Sequence, residues 1–534
     1  MSAAAVATPS AGVREPQSFR PPATMTPEVE EQQRVAPDLR VAILGNVDAG
    51  KSTLVGVLSK FVLDDGRGLA RSHILQHKHE KEKGQTSAVA LELIGFDGKG
   101  GAVMPTKLTG KHVKDFRDVA TRSSRLITMI DLCGHEHFLK TTVYGLMGMQ
   151  ADMVMLVVGA NAGVQKMTRE HLGLTAALQL PVIVVVTKID MAPQHIMDET
   201  MKRIERVLRL AQRKKFTVND PDEARAAAAA MTSGNIAPVF QLSCLTGQGV
   251  DLLRIFYSEM ACGAGQSLAG RGIRSAIYQN GKEYQTMEQA ERLLKDDNLD
   301  AIESEFHIDN VYNVPGVGTV VSGSMIHGIV AAGMHMLLGP DELGEFREVR
   351  VGSIHRQCVP TEQVFAGQQC TFAIKATNAK TNTGKEALKR QNIRKGMVML
   401  SSKRADHVRA SNPSGSLAIT TFEADIKVLH HTTTIQVGYA PIVHLGTVRQ
   451  SAFIEKITFP SGSPGSGVTG EGASSAAATG ANAGDASQSN VLRTGSSAIV
   501  QFRFAYRPEF VTPGRPLVFR EGTTKGVGRV VRLL

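Results

Sequence analysis

The chain has 534 residues, 42% hydrophobic and 21% charged, a globular balance that excludes a wholly disordered chain, and at about 150 residues per domain it suggests roughly three or four domains. Its longest apolar runs, such as Pro181 to Val186, fall far short of the roughly 20 residues that span a bilayer, so no transmembrane helix and no membrane partner is expected. A balance of 60 Lys+Arg against 50 Asp+Glu, net +10, favours polyanionic partners such as RNA, and five cysteines without Cys-x-x-Cys spacing argue against a disulfide framework and for a reducing compartment.

In chain order, residues 1–37 are rich in Ala, Pro, Ser and Thr and carry Glu15, Glu28, Glu30 and Glu31, which predicts a disordered tail. The competing reading takes Arg14 and Arg20 as part of a mitochondrial presequence, although Pro16, Pro21 and Pro22 interrupt the amphipathic helix it needs; a cytoplasmic location is the primary expectation. Over 38–262 short apolar runs alternate with helical segments. The runs Val41 to Leu44, Ile127 to Ile130, Met153 to Val158, Val182 to Val186 and Val239 to Leu242 are unbroken, which predicts a parallel-rich sheet covered by helices on both faces. A Gly- and Lys-bearing stretch, Gly98 to Lys114, reads as a surface insertion near 97–118. Residues 263–304 read as a linker, helical and charged over Met287 to Glu305. Beyond it the pattern becomes short alternating strands with Gly and Pro turns, such as Thr319 to Met325 and Ala498 to Tyr506. This predicts two β-barrels, over 305–412 and 413–534. Residues 460–490, almost entirely Gly, Ser, Ala and Thr, are predicted to be a disordered loop lengthening one hairpin of the last barrel.

The first predicted strand runs into Gly45-Asn46-Val47-Asp48-Ala49-Gly50-Lys51-Ser52 and then the helical pattern Thr53 to Lys60. This satisfies G-x-x-x-x-G-K-[ST] in a strand–turn–helix context: the glycines permit a tight loop, backbone N–H groups face the phosphates, Lys51 reaches the β and γ phosphates, and Ser52 ligates Mg²⁺. A second strand ends in Asp131-Leu132-Cys133-Gly134-His135, where open α/β sheets bind ligands. Asp131 can hold Mg²⁺ through water, and Gly134 lets its backbone N–H approach the γ phosphate. The strand Val182 to Val186 ends in Thr187-Lys188-Ile189-Asp190, and Val239 to Leu242 ends in Ser243-Cys244-Leu245. A carboxylate at Asp190 pairs with the N1 and exocyclic amine of guanine and leaves adenine with an unpaired buried acceptor, which selects GTP over ATP. The Lys188 stem can cover the base, and Ser243 with the following N–H groups would support Asp190.

These motifs resemble those of the translational GTPase superfamily, most closely the GTP-binding protein 1 family. The likeness rests on residues Gly45 to Thr53, His77-Lys78-His79-Glu80 leading to Thr86-Ser87, and Asp131 to Glu136. It continues through Val314-Pro315-Gly316-Val317-Gly318-Thr319-Val320-Val321-Ser322-Gly323 and Ile393-Arg394-Lys395-Gly396-Met397. It implies a GTPase domain followed by two barrels, as in elongation factor Tu and elongation factor 1-alpha. It also implies that Thr86 contacts Mg²⁺ when GTP is bound, that Asp48 helps place a monovalent cation such as K⁺, and that His135 orients the attacking water on the ribosome. Val47 matches a family residue that keeps this histidine turned away. The sequence departs from the family at Thr187, where Asn is usual, at Asn46 and Ala49, where elongation factors commonly have His, and at Cys133, which replaces Pro and reads as a buried apolar thiol.

Two further features stay open between bland and functional readings. Lys202, Arg203, Arg206, Arg209, Arg213, Lys214 and Lys215 form the polar face of one predicted helix, either solvated or touching RNA phosphates. Phe502, Phe504 and Tyr506 share one strand face, as core or as base-stacking residues. His430 and His431 lack the further ligands that zinc spacing requires, so no metal beyond Mg²⁺ and the monovalent cation is assigned. The expected function is a GTP-hydrolysing switch of the elongation-factor type, binding GTP and GDP and acting with ribosomes, aminoacyl-tRNA or RNA-decay machinery. Its rivals are a specialised elongation factor for a particular tRNA and a GTP-gated scaffold for RNA decay.

Overall fold

The computed structural model describes residues 38–534 other than 76–79, 81–85, 87–88, 107–111, 232–233, 261–291, 293–297, 378–389, 430–433, 460–490 and 522. The predicted tail 1–37, residues His77, Lys78, His79 and Ser87, most of the predicted linker, His430 and His431, and the 460–490 loop therefore lie outside the described residues.

The first unit is built on strands β1 (Leu39–Gly45), β2 (Ala90–Phe96), β3 (Ala102–Val103), β4 (Arg125–Asp131), β5 (Met153–Gly159), β6 (Val182–Thr187), β7 (Lys214–Val218) and β8 (Ile236–Gln241). Their order across one sheet is β3-β2-β4-β1-β5-β6-β8-β7, with β4 through β7 parallel and β2 running antiparallel to β4. Around it lie α1 (Lys51–Lys60), α2 (Leu69–Ser72), α3 (His112–Arg122), α4 (Leu139–Gly148), α5 (Lys166–Ala177), α6 (Gln194–Leu210), α7 (Pro221–Ala230) and α8 (Val250–Glu259). The unbroken apolar strands follow from burial on both faces. Val41, Ile43, Met153, Met155 and Val157 enter one core cluster, whereas Ala42, Leu44, Val154, Leu156 and Val158 enter the other.

Three elements differ from the sequence reading. The basic helix stops at Leu210, where Gln212 takes a left-handed φ of 56°, and Lys214 and Lys215 belong to β7, the sheet's edge strand. Lysines at such an edge oppose further strand pairing, which is why the segment reads as helix by charge but folds as strand. The supposed insertion Gly98 to Lys114 contributes β3, paired to β2, and the start of α3. The barrel region also contains a helix, α9 (Ser402–Ser411), whose N-terminal Ser401 hydroxyl accepts from Arg404 N–H at 3.3 Å.

The second unit runs from β9 (Glu305–Val314) through β10 (Gly318–His327), β11 (Ile329–Ala331), β12 (His335–Gly339), β13 (Arg347–Arg356), β14 (Val359–Thr361), β15 (Gln363–Phe365) and β16 (Gln369–Ala376) to β17 (Val398–Leu400). Antiparallel pairing in the order β12-β17-β9-β10-β16-β13 is closed by β12 against β13. The third unit is a closed barrel, in ring order β18 (Thr421–Val428), β21 (Ser497–Phe504), β20 (Val448–Thr458), β19 (Ile442–Leu445), β22 (Pro516–Glu521) and β23 (Thr523–Leu533). Phe502 and Phe504 are buried in its core, but Tyr506 lies past the strand end and is 79% exposed, so the three aromatic residues do not share one environment.

Buried polar contacts join the units. Arg40 Nη1 donates to Ser324 Oγ at 2.6 Å, Asp38 pairs with Arg356 at 2.6 Å and accepts from Gln369 N–H at 3.0 Å, and Tyr144 Oη donates to the Asp309 carbonyl at 3.0 Å. Val518 and Val527 of the third unit enter a core cluster of the first. Between the barrels, Arg394 pairs with Glu509 at 2.9 Å, and Arg515 meets the His307 ring at 2.9 Å.

This burial has a consequence for acid stability. Desolvation holds His171 and His444 down to about 3 and His307 and His327 down to about 4, against 6.5 for a free imidazole, with Lys51, Arg520, Arg515 and Arg404 respectively adding to the shift. Below 6.5 the unfolded chain takes up protons that the folded protein refuses until its own lower values. Stability is therefore complete above 6.5 and falls as pH drops toward 4, by up to about 1.4 kcal/mol per unit for each histidine. Thermal unfolding followed between pH 7 and 5 should show a marked fall in Tm. An unchanged Tm would contradict the buried neutral histidines.

Candidate nucleotide-binding site

The turn between β1 and α1 is shaped by backbone that few side chains tolerate. Gly45 has φ 148°, and a Cβ there would come within 2.3 Å of the Val157 carbonyl oxygen; Gly50, the residue before α1, has φ 84°. Asp48 adopts φ 57° at the exposed tip. Behind the turn, the buried His171 of α5 accepts from the Gly45 N–H at Nδ1, 3.2 Å away. Lys51 opens α1, is buried, and donates from Nζ to the Asn46 carbonyl at 2.8 Å. Burial lowers its pKa, opposed by the nearby Asp131 carboxylate. Gly134 closes over this lysine: a Cβ there would lie 2.4 Å from Lys51 Nζ and 2.7 Å from the Asn46 carbonyl carbon.

Three oxygen-bearing side chains converge beside Lys51. Ser52 Oγ donates to Asp131 Oδ2 at 2.6 Å and lies 2.7 Å from Thr86 Oγ1, which is itself 3.4 Å from the same carboxylate oxygen. Asp131 is fully buried, desolvation raises its pKa, and its Oδ1 has no hydrogen-bond partner among the described residues. An orphaned buried carboxylate oxygen next to two hydroxyls is a set of hard oxygen donors suited to Mg²⁺. Val47, Asp48, Gly50, Lys51, Ser52, Thr53, Arg71, Thr86, Gly134, His135 and Phe138 line the adjoining cleft. His135 is exposed at its edge, precedes a short 3-10 turn, accepts from His137 N–H at 3.2 Å and stacks on the His137 ring at 4.9 Å. Cys133 is 1% exposed, and burial pushes its thiol up to about 12, in keeping with an apolar packing role.

At the other end of the loop, Thr187 is buried and its hydroxyl donates to the Ala49 carbonyl at 2.7 Å. The residue that departs from the family pattern thus braces the phosphate loop. Lys188 takes a left-handed φ of 60°, and Asp190 is exposed. Cys244, half-buried, has its thiol pushed up to about 12, chiefly by burial and then by the carboxylates of Asp64 and Asp190. Ser243 is buried and its hydroxyl accepts from the Leu245 and Thr246 N–H groups, both at 3.2 Å, so it shapes the turn. Leu245 is 46% exposed.

Three residues of the site escaped the sequence reading, among them Phe138, which lines the cleft beside His135. His171 lies 126 positions from Gly45, and Arg71 lies in a short helix after α1. None of the three sits in a recognisable spacing pattern, so only through-space proximity reveals them.

The family model for the elongation factor Tu GTP binding domain matches residues 37–294. GTP-binding protein 1 of Xenopus laevis is 40% identical over 499 residues, covering 93% of this chain and 64% of the relative. GTP-binding protein 2 of Homo sapiens is 36% identical over 496 residues, covering 92% and 69%. The chain thus spans 64% of the length of the first relative and 69% of the second. Among solved structures, the Ski7 GTPase-like domain of S. cerevisiae, bound to GTP, superposes with a TM-score of 0.60 at 13% identity, covering 94% of this chain and 98% of that one. Translation elongation factor SelB of Methanococcus maripaludis, in complex with a GTP analogue, gives 0.53 at 15% identity, covering 94% and 80%. These two likenesses concern the fold, while the sequence identity carries the family: the chain belongs to the translational GTPases, with an elongation factor Tu-type GTP-binding domain, and is similar to GTP-binding proteins 1 and 2.

Proposed function

We propose that the chain is a GTP-hydrolysing switch that acts with the ribosome in the cytoplasm, using Mg²⁺ and a monovalent cation. The observation that carries this reading is the cluster of Ser52, Thr86 and the buried, half-unpartnered Asp131 beside Lys51, at a cleft rimmed by His135. In this reading the phosphate-loop N–H groups and Lys51 bind the phosphates, and Asp190 with the Lys188 stem selects guanine. His135 orients the attacking water once a partner turns it inward. Ser52, Thr86 and Asp131 would hold Mg²⁺, which when bound supplies charge neutralisation to the phosphate oxygens. Asp48, exposed on the same cleft, is the matching carboxylate for K⁺.

The deciding experiment is GTP hydrolysis with and without purified ribosomes. Stimulation supports the switch. Tight GTP binding with no stimulated turnover would favour a GTP-gated scaffold instead.

Base selection gives a separate expectation. Asp190→Asn should weaken GTP binding by about 100-fold and shift preference toward xanthine nucleotides, because the amide can donate to the extra carbonyl where a carboxylate only accepts. Titrating the variant with both nucleotides checks this, and an unchanged preference removes Asp190 from the base site.

The basic surface of α6 and β7 supports RNA contact less broadly than its residue count suggests. Arg203 pairs with Glu199, and Arg209 and Lys215 both pair with Glu205, leaving Lys202, Arg206 and Lys214 exposed outside these pairs. Neutralising those three should flatten the dependence of log affinity for ribosomes on log salt by about two units. An identical slope in the neutralised protein would make this a solvated face.

A further inference from the structure

The segment between α1 and the first core residues beyond it is tied to both ends of the nucleotide cleft. Asp64 N–H donates to the Cys244 carbonyl at 2.9 Å, and Leu63 packs against Gly247, so the segment leans on the turn that follows β8. Its own carboxylates then organise it. Asp64 accepts from the N–H groups of Gly66 and Ala70 at 3.2 and 3.0 Å, and Asp65 accepts from those of Arg67 and Leu69 at 2.8 and 3.1 Å. The short helix α2 lies hard against α1: a Cβ at Gly56 would come within 2.3 Å of the Ala70 carbonyl oxygen. Ile74 and Leu75 beyond it are buried.

One side chain of this strapped segment, Arg71, is half-buried and lines the phosphate cleft together with Lys51, Ser52, Thr86 and His135. Its guanidinium rests over Gly68, where φ is 97° and a Cβ would lie 2.3 Å from Nε. Lys51 is held inside the loop by the Asn46 carbonyl, and Arg71 is a second cation lining the same cleft as Thr86 and His135. An arginine keeps its charge in any surroundings and offers several N–H groups in a planar fork, which suits the charge that spreads over phosphoryl oxygens during transfer.

We infer that Arg71 is a charge-stabilising residue for phosphoryl transfer supplied from within the chain, held ready by a strap that runs from the base-binding turn. This rests on the hydrolysis reading above but needs no ribosome.

The test uses the full chain with Mg²⁺, comparing wild type, Arg71→Ala and Arg71→Lys for binding of GDP, of a non-hydrolysable GTP analogue, and of GDP with aluminium fluoride as a transition-state mimic. Expected for Arg71→Ala is GDP and GTP-analogue affinity within about threefold of wild type, with fluoroaluminate capture reduced by about 100-fold or more. Arg71→Lys, which retains charge without the fork, should fall between. Retained GDP affinity shows that the variant is folded. Capture equal to wild type in Arg71→Ala overturns the inference. So does an equal loss for the GTP analogue, which would make Arg71 an ordinary binding cation, and so does a wild-type protein that captures no fluoroaluminate by itself. Failure of the ribosome-stimulated reading would appear separately, as wild-type capture without ribosome-dependent turnover.

Discussion

Lys51→Ala is expected to lose GTP and GDP affinity by roughly 30-fold to several thousand-fold while the protein stays folded. The ammonium is buried at the start of α1, its charge is disfavoured by desolvation, and it donates to the Asn46 carbonyl at 2.8 Å. Its burial is therefore a burden on the fold unless phosphate oxygens share the site. Removing one partner of a desolvated charge pair costs about 2 to 5 kcal/mol, which sets the range of affinity loss. The change in stability has the opposite tendency, since a buried cation disappears and a small residue with high helix propensity replaces it. Equilibrium nucleotide binding read together with thermal unfolding checks both parts. A variant with wild-type affinity would contradict the phosphate-loop assignment, and one that unfolds would show that Lys51 holds the loop itself.

His135→Ala is expected to separate binding from turnover. The imidazole is exposed at the lip of the cleft, where it accepts from the His137 N–H, stacks on the His137 ring and meets the edge of Phe138 at 6.2 Å. Losing the hydrogen bond to His137 costs at most about 1 kcal/mol of local stability. A positioned group that assists proton transfer or water attack contributes about 100- to 10,000-fold in rate. The two readings of this histidine thus differ in magnitude and in observable. A residue that merely starts a 3-10 turn predicts a small fall in Tm, and a residue that orients water predicts a large fall in stimulated kcat with GTP affinity nearly unchanged. Single-turnover hydrolysis at saturating ribosomes decides between them, and a variant turning over at the wild-type stimulated rate ends the catalytic assignment.

Several parts of this architecture were legible in the sequence because each is written into a short window. The strands β1, β4, β5, β6 and β8 announce themselves as unbroken apolar runs, since a central parallel strand buries both faces and alternate residues feed opposite core clusters. The phosphate-loop motif is equally local: a glycine at φ 84° followed by Lys51 and Ser52 can be read from eight consecutive residues. Alternation with turn residues marked the barrels, whose strands each have one inward and one outward face. Where the local signal was ambiguous, the reading failed. Lys214 and Lys215 continue the charge pattern of α6 but pair with Ile236 and Ala237, and α9 interrupts a region of strands, docked through Arg404 on Glu305 at 2.8 Å.

What the tertiary structure alone decided are the contacts between residues far apart in the chain. Composition identifies Thr187 only as a departure from the family pattern, whereas its hydroxyl bond to Ala49, 138 positions away, makes it a brace for the phosphate loop. The buried hydroxyl of Ser243 shapes its turn by accepting from two N–H groups immediately downstream. His171 and Arg71 became part of the site only when α5 packed behind Gly45 and α2 packed on Gly56. Backbone conformation and side-chain burial have short periods that a sequence displays, but hydrogen bonding and charge act through space. The elements and the phosphate loop therefore belong to the sequence by itself, and the bracing, the strap and the second cation belong to the fold.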